Sequence, residues 1–181
     1  MEVVESPLKD CFYLKPSVFQ DKRGLFSETY NKGQFEEILG REIHFVQDNQ
    51  SLSKYGVLRG LHFQKGAMAQ AKLVRVAFGK VLDIVVDLRK DSPSFGKHFS
   101  LELSAQNGLQ LFVPRGFAHG FVTLSEESVF CYKCDNYYDK TSEGGIIYND
   151  ATLHLDWHLS EEELIVSEKD LALPTFKEAI Q

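Results

Sequence analysis

The stretch that decides the fold is "GVLRGLHFQKGAMAQAKLVRVAFGKVLDIVVDLR", Gly56–Arg89. Val, Ile, Leu and Phe recur in short runs broken by glycine, the pattern of β-strands joined by tight turns. In "KVLDIVVDLR", Leu82, Ile84, Val86 and Leu88 share one face of an extended chain, and Asp83 and Asp87 share the other. Arg59, His62, Lys72 and Arg75 are set into the same apolar stretch. A charge buried without a partner is strongly unfavourable. These side chains therefore either reach solvent or line a wet concave site.

Outward from this stretch the pattern repeats. "IHFVQDN", "GKHFSLELS", "GLQLFVP", "GFAHGFVTL" and "SVFCYKCDNYY" read as further strands, separated by Gly, Ser, Asn and Pro. One helix is expected in "NKGQFEEILGREI", capped by Asn31, with Phe35, Ile38 and Leu39 as its apolar stripe and Gly40 as its stop. Helix returns near the C-terminus, around "SEEEL" and "SEKDLALPTFKEAI". The expectation is an all-β sandwich or barrel with a few short peripheral helices, in one domain over residues 1–181. Small barrels of this kind hold a single ligand, so inward-facing cations point to a polar one. The run "DCFYLKPSVFQDKRGLFSETY" reads as a long apolar edge that a second copy of the chain would cover.

Composition excludes several classes. The net charge of −6 argues against a broad nucleic-acid surface, and an anionic ligand would need a local cluster of Arg and Lys. No apolar run approaches the ~20 residues of a membrane span. "MEVVESPLKD" has no apolar signal region, so the expected address is the cytoplasm. The three cysteines are too few for a disulfide framework. Cys131 and Cys134 sit three apart on a strand, hence on opposite faces, and read as structural. Neither a dinucleotide fingerprint nor a P-loop is present.

His62 in "GLHFQ" and His119 in "PRGFAHGF" stand on separate strands. Metal-binding cupins place His-x-His in their first motif, and here Gln64 occupies the second position. Two histidines without a carboxylate are few for a metal site. The second motif keeps Pro114, Gly116 and His119. The chain thus resembles a cupin-type jelly roll without its metal. In such a site His62 suits a general base, Lys72 suits stabilisation of an oxyanion, and Tyr132 suits proton donation from another direction. Together they fit proton removal beside a carbonyl and return from the other face, which is epimerisation. Asp170 in "SEKD" is open to two readings: a helix cap paired with Ser167, or a carboxylate that orients His62.

The segments "DKRGLFSETYN", "FVQDN", "GVLRGLHFQ", "AKLVRV", "VDLRKDSPSFG", "VPRGFAHGFVTLS", "YKCDNYYDKTSEGGIIYND" and "SEKD" resemble the dTDP-4-dehydrorhamnose 3,5-epimerase family, from about residue 6 to residue 175. The resemblance implies a cupin jelly roll, working as a homodimer without metal or other cofactor. It implies a base dyad at His62 and Asp170, a proton donor at Tyr132, and sugar contacts at Lys72 and His119. It also implies nucleotide and phosphate contacts at Arg23, Glu28, Gln47, Asp48, Asn49, Arg59, Glu143 and Lys169. Arg23 and Glu28 would serve the partner subunit. Two alternatives stand beside it: an epimerase acting at one carbon only, and a non-catalytic sugar-nucleotide-binding cupin. A metal-dependent cupin oxygenase is a third.

Overall fold

Two antiparallel sheets face one another in the computed structural model, which describes residues 1–181. The first runs in the order β1 (Glu2–Glu5), β2 (Phe12–Lys15), β10 (Gln110–Val113), β7 (Lys72–Phe78), β12 (Glu127–Cys134), β5 (Gln47–Lys54). The second runs β13 (Glu143–Gly145), β6 (Val57–Gln64), β11 (Phe117–Thr123), β8 (Lys80–Asp87), β9 (His98–Ser104). A short strand, β14 (Ile165–Val166), pairs in parallel with β6. This interleaving of sequence-distant strands in two facing sheets is a cupin-type jelly roll.

Three apolar layers hold it. Between the sheets lie Val74, Val76, Leu111 and Phe130 from the first and Val81, Val85, Leu103 and Phe121 from the second. The outer face of the first sheet is covered by α1 (Lys32–Leu39), whose Phe35 packs on Phe12, Leu73 and Phe112. A side chain as buried as Phe35 contributes about 1.5–3 kcal/mol of apolar burial. The outer face of the second sheet, with Leu82, Ile84 and Val86, is covered by Ile146, Tyr148, Trp157 and Phe176 of the C-terminal segment. Asp150 ties that segment together, accepting from the N–H groups of Thr152, Leu153 and Phe176. Strand β8 is therefore buried on both faces, and Asp83 and Asp87 are enclosed with it.

The expected helix is present, with the Asn31 side chain accepting from Gln34 N and Gly40 in the left-handed region at φ 66°. Four details differ from the sequence reading. The strand expected in "IHFVQDN" starts at Gln47 and continues to Lys54. The strand in "SVFCYKCDNYY" ends at Cys134. The N-terminal run is no single edge. Pro16 follows β2, which lies inside the first sheet with Phe12 and Leu14 buried by the chain itself. Beyond it β3 (Val18–Asp21) and β4 (Gly24–Ser27) form a separate hairpin. That hairpin leaves Phe19 65%, Leu25 70% and Phe26 68% exposed. The C-terminal helical signal is split by Pro174 into α2 (Glu168–Leu171) and α3 (Phe176–Ala179).

Candidate active site

His62 and His119 become neighbours because β6 and β11 pair with these two residues in register. The strands cross closely at Gly60 and Gly120. A Cβ on Gly60 would lie 2.5 Å from Gly120 Cα, and Gly60 has φ +136°. No larger residue fits there. The ladder shifts just beyond, between His119 and Phe121, which sets both histidines on one wall of the space between the sheets. The opposite wall comes from the first sheet, where Lys72, Val74 and Val76 on β7 share a face with Tyr132 and Phe130 on β12.

A cavity of about 350 Å³ lies between these walls and is lined by Arg59, His62, Lys72, His119, Tyr132 and Asp170, among others. Asp170 enters from α2. Its carboxylate only accepts hydrogen bonds when ionised, so His62 Nε2–H donates to Asp170 Oδ1 at 2.7 Å. Gly60 N–H donates to the other oxygen at 3.3 Å. Ser167 Oγ meanwhile caps the helix by accepting from Asp170 N at 3.1 Å. The two readings of "SEKD" are thus separated: the backbone of Asp170 is capped, and its carboxylate is held by His62. Burial acts to raise the Asp170 carboxyl, but the hydrogen bond and charge of His62 and the Gly60 N–H reverse that, leaving it below the usual carboxylate range.

This bond leaves Nδ1 as the free nitrogen of His62. Burial lowers the Lys72 ammonium below the ordinary lysine range and raises the Tyr132 phenol above the ordinary tyrosine range. Tyr132 therefore stays protonated through neutral pH, as a donor must. The Lys72 ammonium lies 5.8 Å from the Tyr132 ring centre. Arg59 is held by Nε donation to Ser53 Oγ at 3.1 Å.

At the mouth, Lys169 Nζ donates to Glu143 Oε1 at 2.7 Å, and Tyr138 OH donates to Glu143 Oε2 at 3.2 Å. Gln47 Nε2 donates to Asn49 Oδ1 at 3.1 Å, and Gln47 Oε1 accepts from Tyr138 N at 3.0 Å. Gln47, Asn49, Glu143 and Lys169 are therefore joined through Tyr138 in one hydrogen-bonded chain, of which Lys169 lines the cavity. Three expected residues are not brought to the cavity by this chain. Asp48 points to the other face of β5, where Lys133 Nζ donates to it at 2.8 Å. Arg23 sits on the exposed hairpin and pairs with Asp21 at 2.6 Å. Glu28 follows that hairpin and accepts from Gln34 Nε2 at 3.5 Å. Arg75, singled out with the other cations, also faces outward and lines a separate recess of about 290 Å³ with Lys133 and Gln110.

Two residues escaped the sequence reading. Asp83 lies fully buried, 2.8 Å from His119 Nε2, and its Oδ1 has no hydrogen-bond partner. The signal was present: an acid on the face of β8 that also carries Val81 and Val85. Tyr138 lies in the loop mistaken for the end of a strand.

Fold and cavity define a class: a jelly-roll protein with a histidine–carboxylate pair on one wall and a tyrosine–lysine pair on the other. The family model described as dTDP-4-dehydrorhamnose 3,5-epimerase matches residues 5–178. The chain is 51% identical over 180 residues to the dTDP-4-dehydrorhamnose 3,5-epimerase of Salmonella typhimurium, covering 99% of this chain and 98% of that one. The crystal structure of the enzyme of the same name from Elizabethkingia anophelis superimposes with a TM-score of 0.96 at 57% identity, covering 100% of this chain and 99% of that one. A dTDP-6-deoxy-D-glucose-3,5-epimerase of Legionella pneumophila, solved in complex with dTDP-4-keto-L-rhamnose, gives 0.93 at 41% identity over 97% of this chain and 93% of that one. This chain belongs to the dTDP-4-dehydrorhamnose 3,5-epimerase family.

Proposed function

We propose that the chain converts dTDP-4-dehydro-6-deoxy-D-glucose to dTDP-4-dehydro-L-rhamnose, inverting C3 and C5 on either side of the C4 ketone. One observation carries this: a proton acceptor and a proton donor stand on opposite walls of one cavity. The ketone acidifies the hydrogens at C3 and C5. His62 Nδ1 removes one of them, and Asp170 stabilises the imidazolium that forms. The electron pair moves onto the C4 oxygen, where the Lys72 ammonium offsets the charge. Tyr132 returns a proton to the other face of the same carbon. A second round at the other carbon completes the reaction. Each proton that leaves is replaced by another, so the conversion is redox-neutral and calls for no redox cofactor.

Arg59 and Lys169 suit the diphosphate, with Gln47, Asn49 and Glu143 around the nucleoside. Asp48 takes part through its main chain, its carboxylate being turned toward Lys133. The catalytic unit is the single domain 1–181, and its expected compartment is the cytoplasm.

The test is NMR of the dTDP-4-keto sugar in deuterated water with the protein added. Deuterium is expected at both C3 and C5. Exchange at one carbon makes this a single-carbon epimerase. No exchange at either, with binding intact, makes it a sugar-nucleotide-binding protein.

The site is further read as shared between two subunits. The β3–β4 hairpin exposes Phe19, Leu25 and Phe26, and carries Arg23 away from its own cavity. A two-fold dimer would bury these side chains and bring Arg23 and Glu28 to the neighbour's nucleotide. Mixing inactive Arg23→Ala chains with inactive His62→Ala chains should then restore activity, because one site in each mixed dimer keeps both residues. If mixed dimers form and remain inactive, Arg23 serves its own chain.

A further inference from the structure

A second recess, of about 310 Å³, adjoins the catalytic cavity and shares His62 and Lys169 with it. It is also lined by two lysines that the proposed reaction does not use, Lys65 and Lys140. Lys65 directly follows β6, where its N–H donates to Ser142 O at 2.8 Å and its C=O accepts from Met68 N at 3.2 Å. Its stem runs over Gly144, where the lack of a side chain makes the room: a Cβ there would lie 2.8 Å from Lys65 Cε. The Lys65 ammonium lies 6.0 Å from the Phe63 ring centre. Lys140 opens the turn Lys140–Ser142, which is tied down by Asp139, whose carboxylate accepts from Thr141 N and Ser142 Oγ. The other carboxylates of this wall are taken, Glu143 by Lys169 and Asp170 by His62. Lys65 and Lys140 are left exposed and without an acidic partner.

Together the two recesses are lined by five cations, Arg59, Lys65, Lys72, Lys140 and Lys169, against two carboxylates, Asp170 and Glu143. The whole chain carries −6. This mouth is therefore a positive patch on a negative molecule, and a diphosphate meets net repulsion from the molecule as a whole. Arg59 and Lys169 are read above as holding that diphosphate and Lys72 as facing the ketone, which leaves the outer pair to explain. An exposed ammonium is strongly hydrated and sits on a flexible stem, so it adds little to a bound complex. Its charge still reaches about 10 Å through 0.1 M salt. We propose that Lys65 and Lys140 form a capture rim, which draws the diphosphate of the sugar nucleotide to the cavity and then takes no part in holding it. This rests on the sugar-nucleotide reading above. The rim sets how fast the substrate arrives, and the inner cations set how long it stays.

The test is stopped-flow binding of a fluorescently labelled dTDP to the parent chain and to the double variant Lys65→Glu/Lys140→Glu. The control is Lys90→Glu/Lys97→Glu, an equal change of charge at two exposed lysines between β8 and β9 that line neither recess. At low ionic strength the rim variant should associate about tenfold more slowly, the low end of what steering gives, and dissociate at the rate of the parent. Near 1 M salt, where the screening length falls to about 3 Å, the difference should vanish. The milder Lys65→Gln/Lys140→Gln change should show a smaller loss in the same direction, and the control should associate like the parent. Parent-like association of both rim variants at low salt overturns the proposal. A loss that appears in dissociation and persists at high salt also overturns it, because it makes the lysines direct contacts. So does an equal loss in the control, which assigns the effect to net charge alone. The measurement needs no turnover, so a parent chain that binds labelled dTDP without epimerising would refute the proposed reaction and leave this test readable.

Discussion

His62→Ala lowers turnover by about 10²–10⁴-fold, the usual worth of a positioned general base. The expectation follows from what the change removes and what it leaves. It removes Nδ1, the free ring nitrogen facing the cavity, once Nε2 is committed to Asp170 at 2.7 Å. It leaves Arg59 with its bond to Ser53 and Lys169 with its bond to Glu143, so the groups read as holding the diphosphate stay in place. Binding of dTDP, measured by calorimetry, should therefore survive while deuterium exchange at C3 and C5 collapses. Near-normal turnover in this variant would remove His62 from the role of base.

Asp170→Asn gives a loss of similar size, about 10²–10⁴-fold, with a melting temperature close to that of the parent chain. The two halves of this result have separate causes. Stability holds because Ser167 Oγ caps the backbone N–H of residue 170, a bond that the substitution does not touch. The amide can also satisfy the buried pocket, accepting from Gly60 N–H and donating to His62 Nε2. Activity falls because of that donation. It forces the proton onto Nδ1, the nitrogen that must be bare to act as base, and it withdraws the carboxylate that stabilises the imidazolium. A variant that melts early and keeps its turnover would make Asp170 a structural cap after all. Unchanged activity with unchanged stability would leave His62 oriented by its packing alone.

The particular strands show where the sequence was readable. β6, β7, β8, β11 and β12 carry apolar residues at strand spacing because they build the layers on either side of the second sheet and between the sheets. Their hydrophobic pattern is a direct imprint of burial. β5 is an equally long strand, "QDNQSLSK", and shows no such pattern. Gln47, Asn49 and Ser51 share its inner face with the cavity, and a strand that borders a wet site has no reason to be apolar. Its absence from the hydrophobic signal and its place at the site are one fact. The hairpin failed in the opposite sense. Phe19, Leu25 and Phe26 look like core and are exposed within the chain, because local pattern marks a surface as apolar without saying which molecule covers it.

The chemistry divides the same way. Residue types were enough to single out His62, Lys72, His119 and Tyr132, because few sequences set such groups among buried strands, and the motif "SEKD" singled out Asp170. Sequence spacing was mute on which of them meet. Asp170 lies 108 positions from His62, and Asp83 lies 36 from His119. Those pairs exist because α2 docks beside β6 and because β8 and β11 are neighbours in the second sheet. The capping and base-orienting readings of Asp170 were likewise inseparable on paper, since Ser167 and Asp170 satisfy a cap pattern in either case. Local sequence encodes the period of burial and the kind of group available. Hydrogen-bond partners a hundred residues apart are chosen by how the sheets and the C-terminal segment pack, and that choice makes His62 a candidate base and Asp170 more than a cap.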